Sequence, residues 1–209
     1  MKSFTQKLIE LRITLAQDSF GGKGNTKIIR QLSCDVEIEK AGLPSKNTAK
    51  ISVCGMLLHD MEQLTSLSFR LKKTPRNKIA VYAGEEGKGV SLVFSGEITS
   101  AFADFNAPDV KFKMEAMTGY FGSITPARPL TYQGGADVGG IIGQLAGDMG
   151  YNFKNTGVSV QLSNPVLLGS PMDKAQAAAK AAGADLLVDD ESVILSPRGQ
   201  GNGEMPGGN

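Results

Sequence analysis

The chain has no tryptophan, one histidine and two cysteines in 209 residues. Each shortage removes a class of chemistry. Two thiols and one imidazole cannot supply four cysteine or histidine ligands to a structural zinc ion. A serine–histidine–aspartate triad would have to use His59, the sole imidazole. An excess of charge is also missing. The 22 Lys and Arg stand against 21 Asp and Glu, a net charge of +1, so the basic surplus that releases counterions from nucleic acid is absent. No apolar run approaches the ~18 residues of a membrane-crossing helix. The opening Met-Lys-Ser-Phe-Thr-Gln-Lys lacks the apolar region of a signal peptide, which predicts a protein kept in the cytosol that makes it.

What is present is an ordinary hydrophobic fraction, 41%, with 26 Gly and nine Pro. That composition fits a globular chain of short elements joined by many turns. Ile9, Leu11, Ile13 and Leu15 alternate with Glu10, Arg12 and Thr14, the pattern of a half-buried strand. Gly21, Gly22 and Gly24 turn the chain. Residues 28–38 read as one further strand with Leu32, Cys34, Val36 and Ile38 on one face, and 49–55 as the strand returning from a turn at 41–47. Matching apolar faces favours a register that sets Val36 against Val53, Ile38 against Ile51 and Glu39 against Lys50. Cys34 and Cys54 then point to opposite faces, which predicts no disulfide.

Residues 56–65 change to a helical period, with Leu57, Leu58, Met61 and Leu64 as the apolar stripe and His59 beside Glu62 on the solvent face. Alternation resumes at Leu67, Phe69 and Leu71, at Ile79, Val81 and Ala83, at Val90, Leu92 and Phe94, and at Val110, Phe112 and Met114. Gly96 reads as a bulge or bend. Short strands at this spacing predict an antiparallel β-barrel, with the one short helix plugging an end.

Thr125-Pro126-Ala127-Arg128-Pro129 reads as a boundary. Beyond it lie a helix over 136–149 stopped by Gly150, a second helix with Ser170 as N-cap, Pro171 at N1 and Asp173 at N3, and a hairpin at 186–195. The expected fold is α+β, mainly β: a barrel over 1–125, a small α/β domain of two helices and short strands over 126–198, and a Gly-rich tail or linker over 199–209. In the first of these helices Gly139, Gly143 and Gly147 recur every four residues, with Gly140 beside them. At about 1 kcal/mol each relative to Ala, they predict that another backbone, of this chain or a neighbouring subunit, packs on that face. These three glycines are the candidate interface.

Chemical motifs are weak. Residues 21–26, Gly-Gly-Lys-Gly-Asn-Thr, lack the spacing of a phosphate loop. Asp189-Asp190-Glu191 lacks the alternating oxygen ligands of a calcium loop. Glu97, Asp104 and Asp109 could supply a carboxylate pair for glycoside cleavage only if the fold gathered them. The sequence therefore predicts no enzyme, no catalytic or metal-binding residues and no cofactor.

The run Leu92-Val93-Phe94-Ser95-Gly96-Glu97-Ile98, continuing through Asp104-Phe105-Asn106-Ala107-Pro108-Asp109-Val110, resembles the first barrel of baseplate hub proteins of contractile phage tails. Ile51-Ser52-Val53-Cys54-Gly55 with Met61 and Leu64-Thr65 fits the same pattern. Tyr132-Gln133-Gly134-Gly135, Gly169-Ser170-Pro171 through Ala182-Gly183, and Ser196-Pro197-Arg198-Gly199 resemble the hub's small α/β insertion. The likeness runs in order over residues 8–199, and spike hubs of bacterial secretion systems share it. It implies a structural protein of the virion, assembled in the host bacterial cytoplasm: the central hub joining tail tube to spike by ring assembly and docking. Partners would be copies of itself (a trimer, or a hexamer of single barrels), the tail tube protein, the spike protein and other baseplate proteins, without specific nucleic-acid binding or a membrane span. The departure is that no second barrel follows Gly199. The alternative is a carbohydrate- or peptidoglycan-binding or lytic tail module, which the lack of Trp and the four Tyr disfavour.

Overall fold

A computed structural model describes residues 6–17, 19–22, 24–41, 46–65, 77–106 and 109–199. The expected strand at Leu67–Leu71 and most of the turn after it lie outside them. The chain forms two compact units, Met1–Phe121 and Gly122–Asn209.

Among the described residues the first unit is built on one antiparallel sheet of seven strands: β1 (Lys7–Thr14), β2 (Thr26–Ile29), β3 (Cys34–Glu39), β4 (Thr48–Cys54), β5 (Lys78–Glu85), β6 (Gly89–Asp104) and β7 (Lys111–Met117). Their order across the sheet is β2-β1-β5-β6-β7-β4-β3. The expected single strand over 28–38 is thus corrected to two. The chain bends at 30–33, and the two pieces become opposite edges of the sheet.

That topology carries a geometric consequence. Seven strands laid flat would hold their outer members ~29 Å apart at ~4.8 Å per step. The five Cα steps from Ile29 to Cys34 reach ~17 Å at most. The sheet must therefore curl until its edges approach each other. Among the described residues no ladder joins β2 to β3. Curling puts one face inside, and a single apolar cluster fills it, including Leu11, Ile13, Ile51, Val53, Ile79, Val81, Phe94, Phe112 and Met114.

β6 is long enough to pair with β5 through its first half and β7 through its second. Its bulges fall at Val93 and Thr99, where the register shifts, and not at Gly96. Gly96 serves a close approach instead: a Cβ there would lie 2.9 Å from the Met117 carbonyl carbon.

Pairing of β3 with β4 sets Val36 against Ile51 and Glu37 against Lys50, two residues from the expected register. The faces are as expected, because a slip of two preserves side-chain parity and the hydrophobic pattern cannot detect it. Cys34 and Cys54 are free thiols that alternate to opposite faces.

The helix α1 (Leu58–Leu64) buries Met61 and Leu64. Leu57 and Leu58, expected in its apolar stripe, are 68% and 58% exposed. The helix begins only at Leu58, so both leucines project from its open first turn. Asp60 is buried instead, paired with Lys27 of β2. His59 is exposed, as is Glu62.

A short helix, α2 (Tyr120–Ile124), spans the division between units. The second unit contains β8 (Leu130–Thr131), β9 (Gly135–Asp137), α3 (Val138–Met149), β10 (Asn152–Asn155), β11 (Gln161–Ser163), β12 (Val166–Leu167), α4 (Pro171–Ala181), β13 (Ala184–Asp189) and β14 (Ser192–Pro197). β10 lies parallel to β14, which pairs antiparallel with β13. Val138, Ile141, Ile142, Leu145 and Met149 of α3 are all buried, matching the expected stripe. Asp137 caps α3 by accepting from the Gly140 amide, and Gly150 ends it with a φ of 76°. The capping box at Ser170 and Asp173 opens α4. Lys174, 1% exposed, turns its ammonium to the Arg128 carbonyl oxygen.

Candidate assembly surface

Among the described residues no group of three or more His, Cys, Asp or Glu is placed to hold a metal ion, and no helix is long and apolar enough to cross a membrane. Glu97 is buried and accepts from the Tyr120 amide at 2.9 Å. Asp104 lies at the far end of β6, bonded to Lys113 at 2.7 Å. Their partners on β7, Met117 and Lys111, are ~20 Å apart along the strand, beyond any glycosidase carboxylate pair. Asp109 sits in an exposed bend. The Lys113 and Asn106 contacts hold the Asp104 carboxyl below its ordinary range.

The surface is more informative. Glu10 belongs to the outward face of β1, where alternation assigns solvent, yet it is 3% exposed. Its oxygens accept from Arg12 Nε at 2.6 Å and Arg30 Nε at 2.5 Å. Tyr82 is its neighbour on β5, and Arg12 lies 4.1 Å from the centre of that ring. The two guanidiniums, Arg30 first, keep the Glu10 carboxyl below the usual carboxylate range. Sequence reading missed this cluster. The available signal was that continuing the β1–β2 register places Arg30 directly opposite Glu10.

A second feature is an apolar end. Cys54, Lys111 and Asp104 are neighbours across β4, β7 and β6. The chain just beyond or before them carries Leu57, Leu58, Phe105 and Val110, with Phe102 two residues inward, all exposed.

The candidate glycines divide. A Cβ on Gly139 would lie 2.9 Å from Asn155 Nδ2, and one on Gly143 3.1 Å from the Phe153 ring, both on β10. One on Gly147 would meet nothing within 4 Å. Two of the three thus receive side chains of their own unit.

Among the described residues the first unit thus carries a charge cluster over Glu10 and an exposed apolar end. The family model described as "Baseplate hub gp41" matches residues 10–200. The chain belongs to that family. No curated protein matches it in sequence. In structure the chain is similar to a tail protein from Neisseria meningitidis MC58, with a TM-score of 0.61 at 12% identity over 90% of the chain and 51% of that protein. It is also similar to a 43 kDa tail protein of prophage MuSo2 from Shewanella oneidensis, with 0.59 at 11% identity over 92% and 56%. Prophage tail protein gp18 from Listeria monocytogenes EGD-e gives 0.51 at 10% identity over 90% and 51%. The chain spans about half the length of these tail proteins, which share its fold.

Proposed function

We propose that this chain is a wall segment of the central hub of a contractile phage tail, working by ring assembly between tail tube and spike. The observation that carries the reading is the family match over residues 10–200, and the fold shared with phage tail proteins supports it. The physical argument is consistent with it. The link from Ile29 to Cys34 draws the edges of the sheet together, and a sheet so curled wraps into a barrel wall whose strands satisfy one another. Such a wall is a stiff building block, and its function lies in complementarity and symmetry. Copies form a trimer or a hexamer. The exposed end with Leu57, Leu58, Phe105 and Val110 is the surface offered to the tube or spike protein. The product is a virion component, put together in the host cytoplasm, and it has no enzymatic step or cofactor.

The test is native mass spectrometry and electron microscopy of the purified chain, followed by labelling of the tail in intact particles. The expected result is a ring of three- or sixfold symmetry and label at the baseplate centre. Label elsewhere, or turnover of a cell-wall polymer by the purified chain, overturns the reading.

A further inference from the structure

We propose that neighbouring copies of this chain meet head to tail, the arginine platform on β1 and β2 of one copy taking the carboxylate column on β3 of the next. The proposal rests on the ring reading above and names the surfaces that make it.

The platform is the outward row formed by Arg12, Arg30, Tyr82 and Ile28. Both guanidiniums are tied through Nε to one buried carboxylate, Glu10, and Arg12 is steadied further by the Tyr82 ring. Held this way, their terminal amino groups are oriented before any partner arrives, which lowers the ordering cost of association. One carboxylate for two guanidiniums leaves a surplus positive charge and unused donors. Arg30 has 65% of its side chain in solvent, and Ile28 beside it is 50% exposed. Arginine and tyrosine around an apolar residue form the composition that dominates protein interfaces. The matching surface is therefore an anionic one of fixed spacing.

The chain carries such a surface. Asp35, Glu37 and Glu39 all project outward from β3 and are exposed, about 6.7 Å apart from one to the next by strand geometry. None is held in an ion pair with another described residue; Lys50 stands across from Glu37 in the ladder. β3 is an edge strand, so the column is open to approach. Platform and column lie on the two edge strands of the sheet, β2 and β3, and the proposed contact joins the platform of one copy to the column of the next. A contact between two different patches is heterologous, and such contacts close into rings.

The experiment reverses charge on one side at a time in the full chain. Asp35→Lys with Glu39→Lys is the first variant, because these exposed positions face Ser52 and Thr48 and not Lys50, so the fold tolerates them. Arg30→Glu is the second, and a chain with all three changes restores complementarity. Native mass spectrometry at low micromolar concentration should give ring masses for the unaltered chain. Each one-sided variant should give monomers, the dissociation constant rising about a hundredfold or more, and the combined variant should recover the ring. A folded Asp35→Lys, Glu39→Lys chain that still forms the ring overturns this interface and leaves the ring reading standing. An unaltered chain that stays monomeric overturns both.

Discussion

The three glycines spaced four apart on α3 have different surroundings, and alanine at each position should give a different result. At Gly147 a Cβ meets nothing within 4 Å, so Gly147→Ala should add the full helix-propensity gain, about 1 kcal/mol. At Gly143 the same gain is opposed by the Phe153 ring 3.1 Å away; the ring can tilt, so the net change should be within about 0.5 kcal/mol. At Gly139 the obstacle is Asn155 Nδ2 at 2.9 Å. That amide cannot yield, because it donates to the Val158 carbonyl and its oxygen accepts from the Gly157 and Val158 amides. Gly139→Ala should therefore cost about 1–2 kcal/mol through strain and weakened hydrogen bonds. For a unit of this size 1 kcal/mol moves the melting temperature by about 4–8 °C, so the series should spread over 10 °C or more. Hydrogen exchange of α3 amides, read beside thermal melts, assigns the change to this helix. A Gly147→Ala chain less stable than Gly139→Ala would refute the reasoning. A Gly147→Ala chain that melts higher but loses its oligomer would place Gly147 at a subunit contact.

Three further outcomes are expected. Acid should destabilise the first unit: Glu10 and Glu85 titrate below their ordinary value when folded, Glu85 at about 2 owing to Lys7 and Lys88. Their contribution is complete above the ordinary value of 4.5 and is lost as pH falls through the folded values. The urea midpoint should then be level from about pH 8 to 5 and drop below about 4.5, with a smaller drop in Arg30→Gln; an identical drop in that variant would count against the Glu10 cluster. Gly96→Ala should cost about 1–3 kcal/mol in urea unfolding, because Phe94 and the β7 backbone at Met117 both stand within 3 Å of the new methyl; a stabilised variant would contradict that close approach. Cys34, whose thiol is pushed up by burial and by Asp35, should react with iodoacetamide several-fold more slowly than a free thiol at pH 8, as mass spectrometry can follow.

Some of this fold was legible because its signals are local. The alternation in β1, β5 and β7 states which face is buried, the apolar stripe of α3 states its inward side, and Ser170, Pro171 and Asp173 spell a helix start. These patterns depend on neighbours within a turn or two of chain. Signals failed where a non-local partner decides. The run at 28–38 has the alternation of one strand, but its halves pair with β1 and β4 at opposite ends of the sheet. Leu57 and Leu58 have the right period for a core stripe but precede the helix turn that meets the core. β10 is too short and polar to announce itself, yet it supplies the side chains that meet Gly139 and Gly143. Glu10 looked like a solvent residue because nothing local shows Arg30 reaching across the ladder.

The residues alone were enough for the class of the molecule: mainly β, two helices behind a boundary, and ordered motifs that resemble a baseplate hub. Periodicity and composition are enough for that, since burying one face of each element is a requirement of the chain alone. The β3–β4 register, the splitting of one run into two sheet edges and the arginine platform over Glu10 emerge only in the folded chain. Those depend on which strands meet, and a two-residue slip or a different partner leaves every local pattern unchanged.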